Sequence, residues 1–254
     1  MKKAYLLIML TLMLFLLISC EDIDVWTTED LITGGSEDSN YVELSKVQEN
    51  VWIHTSYMQY DGSRTPSNGM VVLTSKGAVL IDTPWNNDQI KELMRLIKEK
   101  FNEEINLAII THAHVDRIGG IDTLLDQKID VRSTKLTEKE AEKYGFSRPS
   151  PTLDDNSNIK FGDTKLEVFY PGEGHAVDNI IVWLSDYKVL FGGCLIKSMT
   201  SEDLGSIDDA NLLQWPQSVQ QVEDKYSEAE VVIPGHGRSG GVELMEHTLD
   251  LLDN

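Results

Sequence analysis

Between residues 41 and 81 apolar side chains fall on alternate positions or in short unbroken runs. That period predicts strands at 41–47, 51–58, 70–74 and 78–81, with Gly69 and Gly77 in turn positions. The period then changes. Ile90, Leu93, Met94, Leu96 and Ile97 recur at helical spacing behind Asn86-Asn87-Asp88, a polar run suited to capping a helix that ends near Phe101. A strand at 105–110 follows, then a histidine-rich loop, a short helix after Gly119-Gly120, a strand at 129–132 and a helix over 137–144. The second half repeats this order, with strands at 165–170, 179–184 and 187–191, a helix over 210–226, a strand at 230–233 and a helix over 242–252. Pro216 marks either a kink in the penultimate helix or its true start. Two halves that each run from strands into helices predict an α/β fold of two packed sheets with helices outside. In such a fold, loops from the strand ends of both halves can meet along one edge.

The first twenty residues stand apart from this pattern. Lys2 and Lys3 precede an apolar run over 4–18, and Leu17-Ile18-Ser19-Cys20 closes it, which reads as an export signal rather than a spanning helix. The Leu-Ile-Ser-Cys ending resembles a bacterial lipoprotein signal, which implies that cleavage leaves Cys20 as a lipid-modified first residue. The protein is then exported, to the periplasm or the outer face of a bacterial membrane, and touches the membrane only through that anchor. Residues 21–40 carry seven acidic side chains and no Lys or Arg, and read as a solvated tether to a domain spanning 41–254. Without Lys2 and Lys3, 20 Lys and Arg face 42 Asp and Glu, a charge of about −22 that argues against nucleic acid as a partner. With Cys20 lipidated, Cys194 has no partner within the chain. A free thiol in an oxidising compartment needs another task, and binding a metal as thiolate is one.

The chemistry concentrates in Thr111-His112-Ala113-His114-Val115-Asp116-Arg117, which places three metal-ligand residues within five positions directly after an apolar strand. Residues two apart in extended chain point the same way, so His112 and His114 can grip one ion while Asp116 faces a second. Three further ligand types lie in glycine-flanked turns: His175 in Gly-Glu-Gly-His, Cys194 in Gly-Gly-Cys-Leu and His236 in Pro-Gly-His-Gly. Catalytic zinc takes about three protein ligands and keeps a position for water, so six ligands divide into two open sites. His54 sits in a strand pattern and His247 in a helix pattern, and both read as structural.

From about Val42 to Leu252 these motifs resemble the metallo-β-lactamase superfamily, and within it the class B β-lactamases of subclass B1. Segments 66–69, 110–120, 174–179, 192–197 and 234–237 carry the likeness. It implies a four-layer αββα sandwich of two mixed sheets with helices on the outer faces. It further implies two zinc ions per chain, one held by His112, His114 and His175 and the other by Asp116, Cys194 and His236. Two departures from the wider superfamily select this group. Arg117 stands where most of its hydrolases carry a further histidine ligand, and Cys194 replaces a bridging aspartate, which disfavours thioester hydrolases, lactonases and RNA-processing nucleases.

The implied activity is hydrolysis of the β-lactam amide of penicillins, cephalosporins and carbapenems by a hydroxide on zinc, conferring antibiotic resistance, by a monomer. Asp116 orients the nucleophile and handles its proton, and Lys197 receives the substrate carboxylate. Ser206 stands where the family commonly has asparagine at the lactam carbonyl, and its shorter hydroxyl needs a bridging water. Tyr60 lies near the tip of a hairpin over 57–65 that matches a mobile lid. Asp82, Arg117 and Asn179 support the ligands from behind.

Overall fold

The computed structural model describes residues 31–34, 41–60 and 62–253; the export signal with Cys20 lies outside them, as does most of the acidic stretch 21–40. Eight strands form the first sheet in sequence order: β1 (Leu31–Gly34), β2 (Val42–Gln48), β3 (Val51–Tyr60), β4 (Ser63–Thr74), β5 (Gly77–Ile81), β6 (Ile105–Ile109), β7 (Asp130–Thr134) and β8 (Ser150–Leu153). Pairing is antiparallel from β1 through β5 and parallel from β5 to β8. The second sheet comprises β9 (Asn156–Phe161), β10 (Thr164–Phe169), β11 (Ile181–Leu184), β12 (Val189–Gly193) and β13 (Val231–Pro234), ordered β13-β12-β11-β10-β9. Only its β12–β13 pair is parallel. Six helices are found among the described residues: α1 (Asn87–Phe101), α2 (Val115–Ile118), α3 (Ile121–Asp126), α4 (Lys135–Lys143), α5 (Trp215–Lys225) and α6 (Glu243–Leu252).

Strand alternation builds four layers. On β5, Val79 and Ile81 face inward onto Val168, Val182 and Phe191 of the second sheet, while Ala78 and Leu80 face outward onto Ile90, Leu93 and Ile97 of α1. On β11 the same alternation turns Val182 and Leu184 inward and Ile181 and Trp183 outward onto Trp215, Val219 and Val222 of α5. Each sheet thus buries both faces, which explains why its central strands read as unbroken apolar runs. The expected αββα sandwich is the observed fold.

Several local features differ from the sequence expectation. The helix expected over 210–226 begins at Trp215, with Pro216 in its first turn, where a missing N–H costs nothing. Strands β8 and β9 were not expected, because their side chains are mostly exposed and polar. Leu31–Gly34, inside the stretch read as a tether, pairs with Val42–Ser45 as an edge strand. A short helix, α2, also begins inside the histidine loop itself.

The topology gathers the chemistry. β5, β6, β12 and β13 end on one rim, and Asp82, Thr111, Cys194 and Gly235 follow those ends within two residues. Asn68 of β4 crosses between the sheets there, donating its N–H to Gly235 O at 2.9 Å and its amide to Pro234 O at 3.1 Å and Gly237 O at 2.8 Å. Gly119 closes α2 against the Asp82–Trp85 loop so tightly that a Cβ would stand 2.0 Å from Trp85 O and 2.5 Å from Val115 O. Gly119→Ala is therefore expected to lower stability by about 1–3 kcal/mol in urea unfolding while the chain still folds; an unchanged midpoint would show that the loop has slack.

Candidate metal centre

The six ligand-type side chains converge as two triads, His112–His114–His175 and Asp116–Cys194–His236, each with its ligand atoms within 4.8 Å of one another. In the second triad Asp116 Oδ2 lies 3.2 Å from His236 Nε2 and 3.6 Å from Cys194 Sγ, and Cys194 Sγ lies 3.5 Å from His236 Nε2. Tetrahedral angles and ordinary zinc–nitrogen and zinc–sulfur bond lengths require ligand separations of roughly 3.3–3.7 Å, so the triangle has the size of a metal's coordination face. In the first triad His114 Nδ1 lies 3.1 Å from His175 Nε2, and the three rings stand edge to face with centroids 4.8–5.2 Å apart.

Partners on the far side of the His112, His114 and His236 rings fix which nitrogen is free. His114 Nε2 meets the Asp209 carboxylate at 3.3 Å and must donate to it, leaving the Nδ1 lone pair for the centre. Thr111 Oγ1 donates to Asp82 Oδ2 at 2.8 Å and therefore accepts from His112 Nδ1 at 3.3 Å, leaving His112 Nε2, which has no hydrogen-bond partner although it is buried. His236 Nδ1 donates to Pro66 O at 2.5 Å, aiming Nε2 at Asp116 and Cys194. A buried imidazole nitrogen left unpaired by every protein group, in two triads of imidazole, carboxylate and thiolate, is the donor chemistry of a borderline-soft transition metal. The residues fit such ions.

Charge supports this reading. Burial holds His112 and His175 well below the usual histidine range, so both present neutral rings. Burial works against protonation of His236, but Cys194 and Asp116 outweigh it and push that imidazole up to about 9. Burial alone would raise the Asp116 carboxyl, yet the adjacent Arg117 guanidinium holds it well below the usual carboxylate range.

Arg117 is fully buried and forks into both halves of the site. Its Nη2 donates to Asp116 Oδ2 at 2.7 Å and to Gly235 O at 2.8 Å, its Nη1 donates to Asn68 O, and Nη1 lies 3.7 Å from Asp82 Oδ2. Asp82 accepts from Thr111 N at 2.7 Å as well as from the Thr111 hydroxyl. Asn179 accepts from Ala176 N and donates to Gly172 O, both at 3.0 Å, closing the loop that carries His175. Asp82, Arg117 and Asn179 thus bond the loops that carry His112, Asp116 and His175.

Of the remaining expected residues, Lys197 is 8% exposed, and its Nζ lies 5.2 Å from the centre of the Trp215 ring. Burial lowers its pKa. Gly205 comes within 3.9 Å of that Nζ, measured from where its Cβ would stand, which brings the neighbouring, exposed Ser206 to the same end of the site. Tyr60 ends β3 opposite Ser63, and its side chain lies outside the described residues. Sequence reasoning missed Asp209, which orients His114, and Asp178, whose carboxylate accepts from Ala113 N at 3.0 Å and ties the His175 loop to the loop between His112 and His114. It also missed Trp215, packed edge-on to His175 while donating to Leu195 O at 2.8 Å. Two surface cavities, of about 550 and 450 Å³, lie elsewhere, beside Lys139 and Asp154 and beside Lys98 and Gln127. Neither touches a ligand triad.

Comparison with known proteins gives a consistent result. A family model described as the metallo-beta-lactamase superfamily matches residues 62–236. The metallo-beta-lactamase type 2 of Bacillus cereus is 46% identical over 211 residues, covering 83% of this chain and 82% of that protein. The protein of the same name from Elizabethkingia meningoseptica is 35% identical over 211 residues, covering 83% and 85%. Among solved structures, a metallo-beta-lactamase from Pontibacter korlensis superposes with a TM-score of 0.82 at 39% identity, covering 84% of this chain and 99% of its own. FIM-1 from Pseudomonas aeruginosa, in a mono-zinc form, gives 0.78 at 32% identity, covering 84% and 95%.

Arg117→Lys keeps the charge but cannot fork to Asp116, Asn68 and Gly235 together. Zinc titration against a chromogenic chelator is expected to show the Asp116–Cys194–His236 site weakened roughly 10- to 100-fold and the histidine site little changed. Equal weakening of both sites would contradict this assignment.

Proposed function

The chain belongs to the metallo-beta-lactamase superfamily, and on that premise we propose that it is a class B β-lactamase with two zinc ions. It opens the β-lactam amide of penicillins, cephalosporins and carbapenems and so confers antibiotic resistance. One observation carries the reading: Cys194 joins Asp116 and His236 in a triangle of 3.2–3.6 Å, with Arg117 rather than another ligand beside Asp116. A relative solved in a mono-zinc form supports zinc as the metal.

His112, His114 and His175 hold the first ion, and Asp116, Cys194 and His236 the second. Zinc, when bound, supplies Lewis acidity and lowers the pKa of water toward neutrality. Asp116, kept ionised by Arg117, orients the attacking water and accepts its proton at the carboxylate. The water oxygen bonds to the lactam carbonyl carbon, the carbon–nitrogen bond breaks, and a proton passes to the departing nitrogen. Lys197 Nζ pairs with the substrate carboxylate and sets the angle of approach, a positioning contribution. Ser206 donates toward the carbonyl oxygen through a water, and Tyr60 near the hairpin tip covers the substrate. Cys194 serves as a ligand and not as a nucleophile. We further assign export, lipid attachment at Cys20 and a monomeric state; the net charge of −20 supports the exclusion of nucleic acid.

A chromogenic cephalosporin tests the activity. Zinc-loaded protein should hydrolyse it, exhaustive chelation should abolish turnover and added zinc restore it, and Cys194→Ala should lose roughly 10- to 100-fold. No hydrolysis by zinc-loaded protein would leave a hydrolase of another small ester or lactone, and turnover surviving chelation would remove the mechanism. Lys197→Ala should lower kcat/KM by roughly 10- to 100-fold, mainly through KM, as one charge-assisted hydrogen bond is lost. A fall confined to kcat would place Lys197 at the reacting atoms instead.

A further inference from the structure

We propose that His54 is a positioning residue for both metal subsites, holding the Asp82 backbone so that the Asp82 carboxylate is fixed against Thr111 and Arg117. His54 lies on β3 facing α1, 1% exposed, and its Nε2 is 3.0 Å from Asp82 O. A carbonyl oxygen only accepts, so the ring proton sits on Nε2. Burial lowers the pKa of this ring to about 4, which keeps it neutral and its tautomer single.

The partner it holds is unusual. Asp82 has φ of 61°, and among the described non-glycine residues with positive φ it is the buried one; Asn50, Asn102, Lys128 and Lys188 all occupy exposed positions. A side chain in that region costs roughly 1–2 kcal/mol and persists only where its surroundings over-determine it. Two bonds do so here: Asp82 N donates to Ile109 O at 2.9 Å, and His54 caps Asp82 O. Gly69, opposite His54 in the β3–β4 register, makes room for the ring, since a Cβ there would stand 2.0 Å from His54 Nε2.

From this fixed backbone the Asp82 carboxylate reaches both triads. It accepts from Thr111 N at 2.7 Å and from Thr111 Oγ1 at 2.8 Å, and Thr111 in turn meets His112 Nδ1 at 3.3 Å. On its other side Asp82 Oδ2 lies 3.7 Å from Arg117 Nη1, and Arg117 grips Asp116 at 2.7 Å. One buried N–H therefore sets a ligand in each triad through two short chains. A histidine that merely filled space would have no reason to bond the strained residue behind the metal loop.

The inference rests on the two ligand triads of the proposed function and not on the substrate, so zinc itself is the probe. His54→Gln places an amide N–H near the position of Nε2, whereas His54→Leu removes the donor at similar volume. Competition with a chromogenic chelator is expected to show both zinc affinities lowered roughly 10- to 100-fold in His54→Leu and close to wild type in His54→Gln. In an Asp82→Asn background the Leu substitution should add much less, because the two residues act in series. Where His54→Leu fails to fold, His54→Asn, polar but one methylene short of the carbonyl, makes the same comparison. Wild-type affinity in the Leu or Asn variant, or equal losses in Gln and Leu, would overturn the proposal. Absence of β-lactam hydrolysis by the wild type would overturn the substrate assignment and leave this affinity comparison standing.

Discussion

The rest of the site depends on one buried cation. Arg117 is fully buried, and a guanidinium out of water is tolerated only when charge and hydrogen bonds surround it. Its surroundings are Asp116 and Asp82 for charge and the Asn68 and Gly235 carbonyls for hydrogen bonds. Those four partners come from the histidine loop, the end of β5, the middle of β4 and the loop after β13. Satisfying one side chain therefore locks both sheets into a single relative position at the rim. The same bonds hold Asp116 ionised, which places a permanent negative charge where a second cation would sit.

The histidine cluster obeys a complementary constraint. Burial keeps the His112 and His175 rings neutral, so each has a defined donor and acceptor side. Asp209 takes one nitrogen of His114, Thr111 one of His112 and the Pro66 carbonyl one of His236, and in each the other nitrogen is left toward the ligand triads. The outward partners thus determine the inward chemistry. The chain is strongly acidic, and against that charge Arg117 and Lys197 are buried cations, one bonded to Asp116 and the other beside the Trp215 ring.

Much of this was legible in the sequence, for identifiable reasons. The six ligand-type residues stand out because metal binding demands particular residue types, and they sit beside glycines or in the loop after an apolar strand. The four layers follow from alternation on strands such as β5 and β11 and from helical spacing in α1. The bonding roles of Asp209, Asp178 and Asn68 were not legible, although the last two fall in segments that carry the family likeness, since each acts on residues 65 to 169 positions away. Strands β8 and β9 escaped because an exposed edge has no apolar stripe to betray it. His54 read as a structural histidine from its strand pattern; its burial agrees, but its bond to a left-handed Asp82 depends on backbone geometry that no periodicity encodes.

On this reading Cys194, Asp116 and His236 close on one metal ion beside a second held by three histidines. Loading the purified protein with cobalt(II) in place of zinc tests it most directly, because a thiolate bound to cobalt gives a near-ultraviolet charge-transfer band that carboxylate and imidazole do not. Two equivalents are expected to bind, with that band present in the wild type and missing in Cys194→Ser. A single equivalent with no such band, or a band that survives loss of the sulfur, would contradict it.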